Sequence, residues 1–245
     1  CGKYVRHQDA YKSVEEALIH SAAWHRLKLQ IKWIDSEQNF KSALLNRLLQ
    51  DVDGILIPGG FGIRGIEGKI AIAEYARTHK IPYFGICLGM QVAVIEFARH
   101  ICHLKDADST EFNPKTPYPV IHLMEEQQYV KMVGGTMRLG AYPCKLKRGT
   151  LARKAYGKAL VSERHRHRYE FNNTYKDKLE SKGLNFSGFS PDGQLVEIVE
   201  LPSHPFYIGV QFHPEFKSRP NKPHPLFREF IKAAYQFHRN HSTPE

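Results

Sequence analysis

Over its first hundred residues the chain alternates four times between a short apolar run and a segment of helical periodicity. Residues 2–5 read as a strand and 13–24 as a helix, 27–34 as a strand and 40–49 as a helix. Residues 54–58 and 67–78 repeat the pattern, as do 81–86 and 88–100. Each helix has to carry the chain back across a sheet before the next strand begins, so consecutive βα units lay their strands side by side and parallel. The expected class is α/β: a mostly parallel open sheet with helices on both faces.

The rhythm changes after residue 100. Residues 101–150 are rich in proline and glycine, with strand candidates at 129–133 and 138–144. Residues 184–190 and 194–200 flank Pro191-Asp192-Gly193, a turn in which proline presets φ and glycine accepts φ > 0, so a hairpin is expected. Residues 206–212 form a further strand and 225–238 a closing helix, whose Phe227, Phe230, Ile231 and Ala234 have the spacing of a core face. The second half thus adds antiparallel strands to the first sheet, and residues 1–245 are expected to form one domain. A hydrophobic content of 42% is enough to build that core.

The formal net charge is +10, spread along the chain without an arginine-rich tail or zinc-finger spacing. This suits anionic small ligands or an acidic partner surface; no nucleic acid is expected. The uncharged run 81–95 is too short to span a membrane and is interrupted by Pro82, Gly85, Gly89 and Gln91. Cys1, Cys87, Cys102 and Cys144 are too widely spaced for a secreted disulfide framework, so a cytoplasmic location is expected. The chain opens at Cys1 within a strand-like run, as a piece of a longer protein would.

The chemistry concentrates where the fourth strand meets its helix, in GICLGMQV, residues 85–92. In open α/β sheets ligands sit beyond the carboxyl ends of the strands. G-x-C-x-G at such an end is the thiol counterpart of the nucleophile elbow. Gly85 and Gly89 relieve crowding against the adjoining strand and helix, and the helix N-terminus favours a thiolate at Cys87. A buried core cysteine between two unrelated glycines is the bland alternative.

A nucleophilic cysteine needs a base and the base an orienter. Strand 206–212 runs into His213-Pro214-Glu215. Residues two apart in an extended segment point the same way, so His213 and Glu215 share a side. Of fourteen histidines, this one ends an apolar strand with a carboxylate two residues on. The run GILIPGG, residues 54–60, is another strand ending in glycines. Backbone N–H groups of Gly59 and Leu88 are candidates to converge on a developing oxyanion, each worth roughly 3 kcal/mol in a transition state. Gly60-Phe61-Gly62-Ile63-Arg64-Gly65 also matches the dinucleotide fingerprint G-x-G-x-x-G, but the next strand ends at Cys87 instead of an acidic residue.

PGGFGIRG, GICLGMQ and FHPE in this order resemble the class I glutamine amidotransferases. The stretches 58–65, 85–100, 108–112, 137–140, 163–170 (ERHRHRYE) and 213–215 resemble, within them, the glutaminase domains of the CTP synthase family. The resemblance implies a flavodoxin-like sheet and a triad of Cys87, His213 and Glu215. It implies an oxyanion hole at Gly59 and Leu88, and glutamine binding by Gly60, Gln91, Glu111, Arg168 and Tyr169. Phe61, Arg164 and Arg166 fall where GTP and inter-domain contacts are expected. It implies no cofactor or metal in this domain, with ATP, Mg2+ and the activator GTP used by the full-length enzyme. The implied partners are L-glutamine and an N-terminal synthase domain, in a homo-tetramer. A lid is expected around residues 134–146, where Gly134, Gly135 and Gly140 favour mobility.

Other readings stay open on the sequence: the glutaminase component of a GMP or carbamoyl-phosphate synthase, a thiol hydrolase of other substrates, or a catalytically silent regulatory module. His165 and His167 alternate with three arginines, which reads as a strand with a solvated basic face and not as a metal site.

Overall fold

The computed structural model describes residues 1–5, 7–38, 40–123 and 137–241. The strand candidate at 129–133 lies outside the described residues, as does the first part of the expected lid. Seven strands form the main sheet in the order β1-β2-β10-β9-β8-β5-β6. These are β1 (Ile55–Ile57), β2 (Tyr83–Ile86), β5 (Arg138–Leu146), β6 (Leu160–His167), β8 (Asn185–Phe189), β9 (Val196–Glu200) and β10 (Tyr207–Val210). β1, β2 and β10 are parallel, and the strands from β9 outward pair antiparallel. The hairpin is present: β8 and β9 are joined through Gly193 at φ +79. A second, three-stranded sheet pairs β3 (Ala107–Ser109), β4 (Tyr118–His122) and β7 (Glu170–Phe171).

Side-chain alternation divides the core between the two sheet faces. On β2, Tyr83 joins the cluster with α2 (Ser42–Leu49), α3 (Ile66–Thr78) and α4 (Leu88–His100). Phe84 and Ile86 point the other way, toward α1 (Lys12–Trp24) and α7 (Pro225–His241). Two short helices, α5 (Leu151–Tyr156) and α6 (Lys176–Ser181), complete the described α-helices. α4 is buried from Leu88 through Ala98, as a helix apolar on nearly every side must be. α7 is amphipathic: Leu226, Phe227, Phe230 and Ile231 are buried, while Lys232 and Arg239 face solvent.

Two expected strands take a different form. Residues 27–34 are extended, with Lys28, Gln30 and Lys32 exposed and Leu27, Leu29 and Ile31 turned inward. Among the described residues, however, the N–H groups of 28–33 make no ladder. The expected strand over 2–5 reduces to a parallel bridge between Gly2 and Asp35. A largely apolar cleft of about 740 Å³ lies between this segment and β1, with the Cys1 amino group bonded to the Leu56 carbonyl at its end. An alternating apolar pattern favours an extended segment, but only a hydrogen-bonded neighbour makes it a sheet strand.

Candidate functional site

At the carboxyl end of β2 the backbone reverses into α4 through Cys87, whose φ of 51° and ψ of −101° are strained for a residue with a Cβ. The neighbouring glycines have a visible purpose. A Cβ on Gly85 would lie 2.6 Å from the Gly89 carbonyl carbon, and one on Gly89 only 2.1 Å from the Ile57 carbonyl oxygen. Strand, turn and helix therefore touch backbone to backbone. Cys87 N–H donates to Val210 O of β10 at 2.7 Å, which fixes the turn to the neighbouring strand.

The next turn beyond β10 brings His213 to the same place. Its ring lies against Gly59, where an added Cβ would come within 2.7 Å of Cε1 and 3.6 Å of the Cys87 Cβ. His213 Nδ1 bonds Glu215 Oε1 at 2.7 Å, and both side chains are buried. The His213 N–H donates to Arg164 O of β6 at 2.7 Å, and Phe216 stacks on the imidazole. Desolvation pulls the His213 pKa down, but the Cys87 sulfur and the Glu215 carboxylate outweigh it and raise it to about 10. The imidazolium is therefore the resting form at neutral pH. Nδ1 is committed to Glu215, leaving Nε2, which is buried and without a hydrogen bond of standard geometry, as the nitrogen available for proton exchange.

Among the described residues the N–H groups of Gly59 and Leu88 donate to no other group. Leu88 opens α4, where the first N–H groups of a helix lack internal partners.

In front of the sulfur lies a cavity of about 360 Å³ whose walls include Gly60, Gln91, Glu111, Arg168 and Tyr169. All five glutamine-binding candidates thus meet at one place. Phe61, Met137, Arg166 and His167 complete the lining beside Cys87. The small sheet holds Glu111 there, and Glu111 Oε1 accepts from Gly62 N–H at 2.7 Å, tying that sheet to the glycine loop. Burial raises the Glu111 pKa, while the Gly62 hydrogen bond and the charges of Lys3 and Arg168 oppose the rise. The cavity thus has a carboxyl group and a guanidinium in its walls.

Phe61 is 43% exposed at the rim, and the Arg166 guanidinium lies 5.9 Å from its ring. Arg164 is exposed on the same side of β6. His165 and His167 face inward instead: only the arginines make the solvated basic face. The two rings bond each other at 2.9 Å. Burial, helped by Arg138, drops their pKa values to about 2 and about 3, so both are neutral.

One buried side chain at the site was not singled out from the sequence. Gln211 Nε2 approaches Cys87 Sγ at 3.7 Å. Strand alternation does not account for it: β10 ends at Val210, and Glu215 meets His213 through the 3-10 turn Pro214–Lys217 instead of through the extended spacing expected from the sequence.

The class I glutamine amidotransferase family model matches residues 7–233. A CTP synthase of Moorella thermoacetica is 59% identical over 95% of this chain and 43% of its own length. One from Syntrophus aciditrophicus is 55% identical over 100% and 45%. The chain spans less than half the length of these curated relatives. Among solved structures, a Trypanosoma brucei CTPS glutaminase domain with bound acivicin aligns with a TM-score of 0.91 and 39% identity, covering 96% of this chain and 92% of that one. A putative GMP synthase protein from Thermoplasma acidophilum, at 15% identity and a TM-score of 0.58 over 96% of this chain and 90% of that one, shares the fold.

Proposed function

The chain belongs to the class I glutamine amidotransferases, and on that footing we propose that it hydrolyses L-glutamine to glutamate and ammonia through a thioester on Cys87. The observation that carries this reading is the meeting of a strained Cys87, His213 held by Glu215 at 2.7 Å, and a cavity walled by Glu111 and Arg168. Glutamine enters with its α-amino group toward Glu111 and its α-carboxylate toward Arg168. The Cys87 thiolate attacks the carboxamide carbon, and Gly59 and Leu88 N–H groups receive the oxyanion. His213 gives its proton to the departing nitrogen, the C–N bond breaks, and ammonia leaves. The now neutral imidazole takes a proton from water, which attacks the thioester and frees glutamate. Glu215 keeps the ring in one tautomer and balances its charge.

The matching electrophile is the test. Acivicin, a glutamine analogue, should label Cys87 stoichiometrically, located by peptide mass spectrometry, and excess glutamine should protect. Burial pushes the Cys102 and Cys144 thiols up, so neither should compete. A folded sample left unlabelled at Cys87 would sink the reading.

The finer proposal is that the ammonia serves a CTP-forming synthase domain, using ATP, Mg2+ and the activator GTP in a homo-tetramer. The identity to CTP synthases supports it. The exposed Phe61, Arg164 and Arg166 rim offers the surface for GTP and for the synthase domain. Glutamine hydrolysis should rise at least about tenfold when a matching synthase domain, UTP, ATP and GTP are added, measured as ammonia release; an unchanged rate counts against CTP synthesis as the destination.

A further inference from the structure

We propose that Gln211 is a positioning residue for Cys87: its side-chain amide donates to the sulfur and holds it as a thiolate aimed at the cavity. The inference rests on the glutaminase reading and adds to it a group outside the triad. Gln211 is fully buried just past β10, with its N–H on Glu197 O at 2.9 Å. Its direction is dictated from a distance. The Tyr169 carbonyl can only accept, and it takes Gln91 Nε2 at 3.1 Å. The same nitrogen reaches Gln211 Oε1 at 3.2 Å. That leaves Gln211 Nε2 facing Cys87 Sγ, at 3.7 Å.

Neither amide can turn over. A reversed Gln91 would set Oε1 against the Tyr169 oxygen, and a reversed Gln211 would set its nitrogen against that of Gln91. One backbone carbonyl, two amides away, thus ensures that the sulfur meets a donor. Donation to the charged form stabilises it, and in a buried place the donor has no water to compete with. Gln91 thereby has two tasks: it lines the cavity and it keeps Gln211 from flipping.

The titratable and charged groups around the sulfur are His213 and Glu215 beyond β10, Arg166, His167 and Arg168 across the cavity, and Glu111 beside the glycine loop. α4 has no acidic residue in its first turn. None of these changes with Gln211→Met, so that comparison isolates the amide.

The test follows Cys87 alkylation by iodoacetamide against pH, with peptide mapping. This small neutral reagent enters the cavity without needing the groups proposed to grip glutamine. Gln211→Met keeps length without a donor, and Gln211→Glu replaces the donor with an acceptor. Both should move the midpoint of the profile upward, by about one pH unit for Met, and slow alkylation at pH 7 about tenfold. Superimposable profiles in folded variants would overturn the proposal. Should the variants not fold, the unaltered chain decides: the Gln211 side-chain amide resonance must shift when Cys87 is alkylated, and a fixed resonance overturns it. Loss of acivicin labelling with the iodoacetamide effect intact would remove the glutaminase reading and leave the positioning role standing.

Discussion

Cys87→Ala should abolish glutamine hydrolysis, lowering kcat by about 10⁴-fold or more, to the level that binding and backbone donors alone can support. The other thiols lie elsewhere, Cys1 in the cleft beside β1. Cys144 and Cys102 are buried away from the cavity and held protonated by that burial. Glutamine binding should survive, because of the groups proposed to grip it Glu111, Arg168 and Gly60 make no bond to the sulfur, and Gln91, which reaches it only by way of Gln211, is also held by the Tyr169 carbonyl. Ammonia release under saturating glutamine and binding calorimetry on the same sample separate the two effects. Retention of more than about a tenth of the rate would show that the nucleophile is elsewhere, and loss of binding together with rate would point to collapse of the turn. Removal of the sulfur should also lower the His213 pKa, since Cys87 is a leading contributor to its rise. The variant's imidazole should therefore titrate below that of the unaltered chain, readable from its ring-proton NMR shifts.

How far the sequence reveals this arrangement depends on the range of the forces involved. Helices α1, α3 and α4 and strands β2 and β10 follow from local periodicity, and they fall where the apolar spacing puts them. The juxtaposition of Cys87 with the segment of His213 was also legible, since each follows an apolar strand and parallel neighbours end together: Val210 O is bonded to Cys87 N–H. Residues 27–34 show the limit. They alternate from Leu27 to Trp33, yet pairing depends on what lies at each edge, which a local pattern does not contain. His165 and His167 show a second limit. The residue types said basic strand, but whether the histidines or the arginines faced inward was decided by Glu197 and Arg138, on β9 and β5, which meet as a buried ion pair at 2.7 Å. Glu111 was identified only through a resemblance, because it reaches Gly62 across 49 residues. The orientation of Gln211 had no local signature, being set by a carbonyl 42 positions earlier through Gln91.

The backbone contact beneath the thiol predicts the largest structural effect. Gly89→Ala should destabilise the fold by about 3 kcal/mol or more, for which a chain of this size loses roughly 6–12 °C in Tm. The added methyl would lie 2.1 Å from the Ile57 carbonyl oxygen and 3.0 Å from its carbon. Neither partner can move alone: Ile57 is in register with Gly85 on β2, and Gly85 itself abuts the Gly89 carbonyl. α4 would have to retreat from the sheet, carrying Leu88 and its N–H away from where the oxyanion forms. A displacement of about 1 Å at such a donor costs roughly 100-fold in rate, so activity per folded molecule should fall as well. Gly149→Ala is the comparison. Its backbone is left-handed at φ +85, but nothing lies within 4 Å of the added methyl, so it should cost only about 1 kcal/mol and leave hydrolysis unchanged. Thermal melts of both variants, with ammonia release normalised to the folded fraction, distinguish contact from backbone strain. Equal losses in the two would mean that the close approach of α4 to β1 is not what makes the elbow intolerant of a side chain.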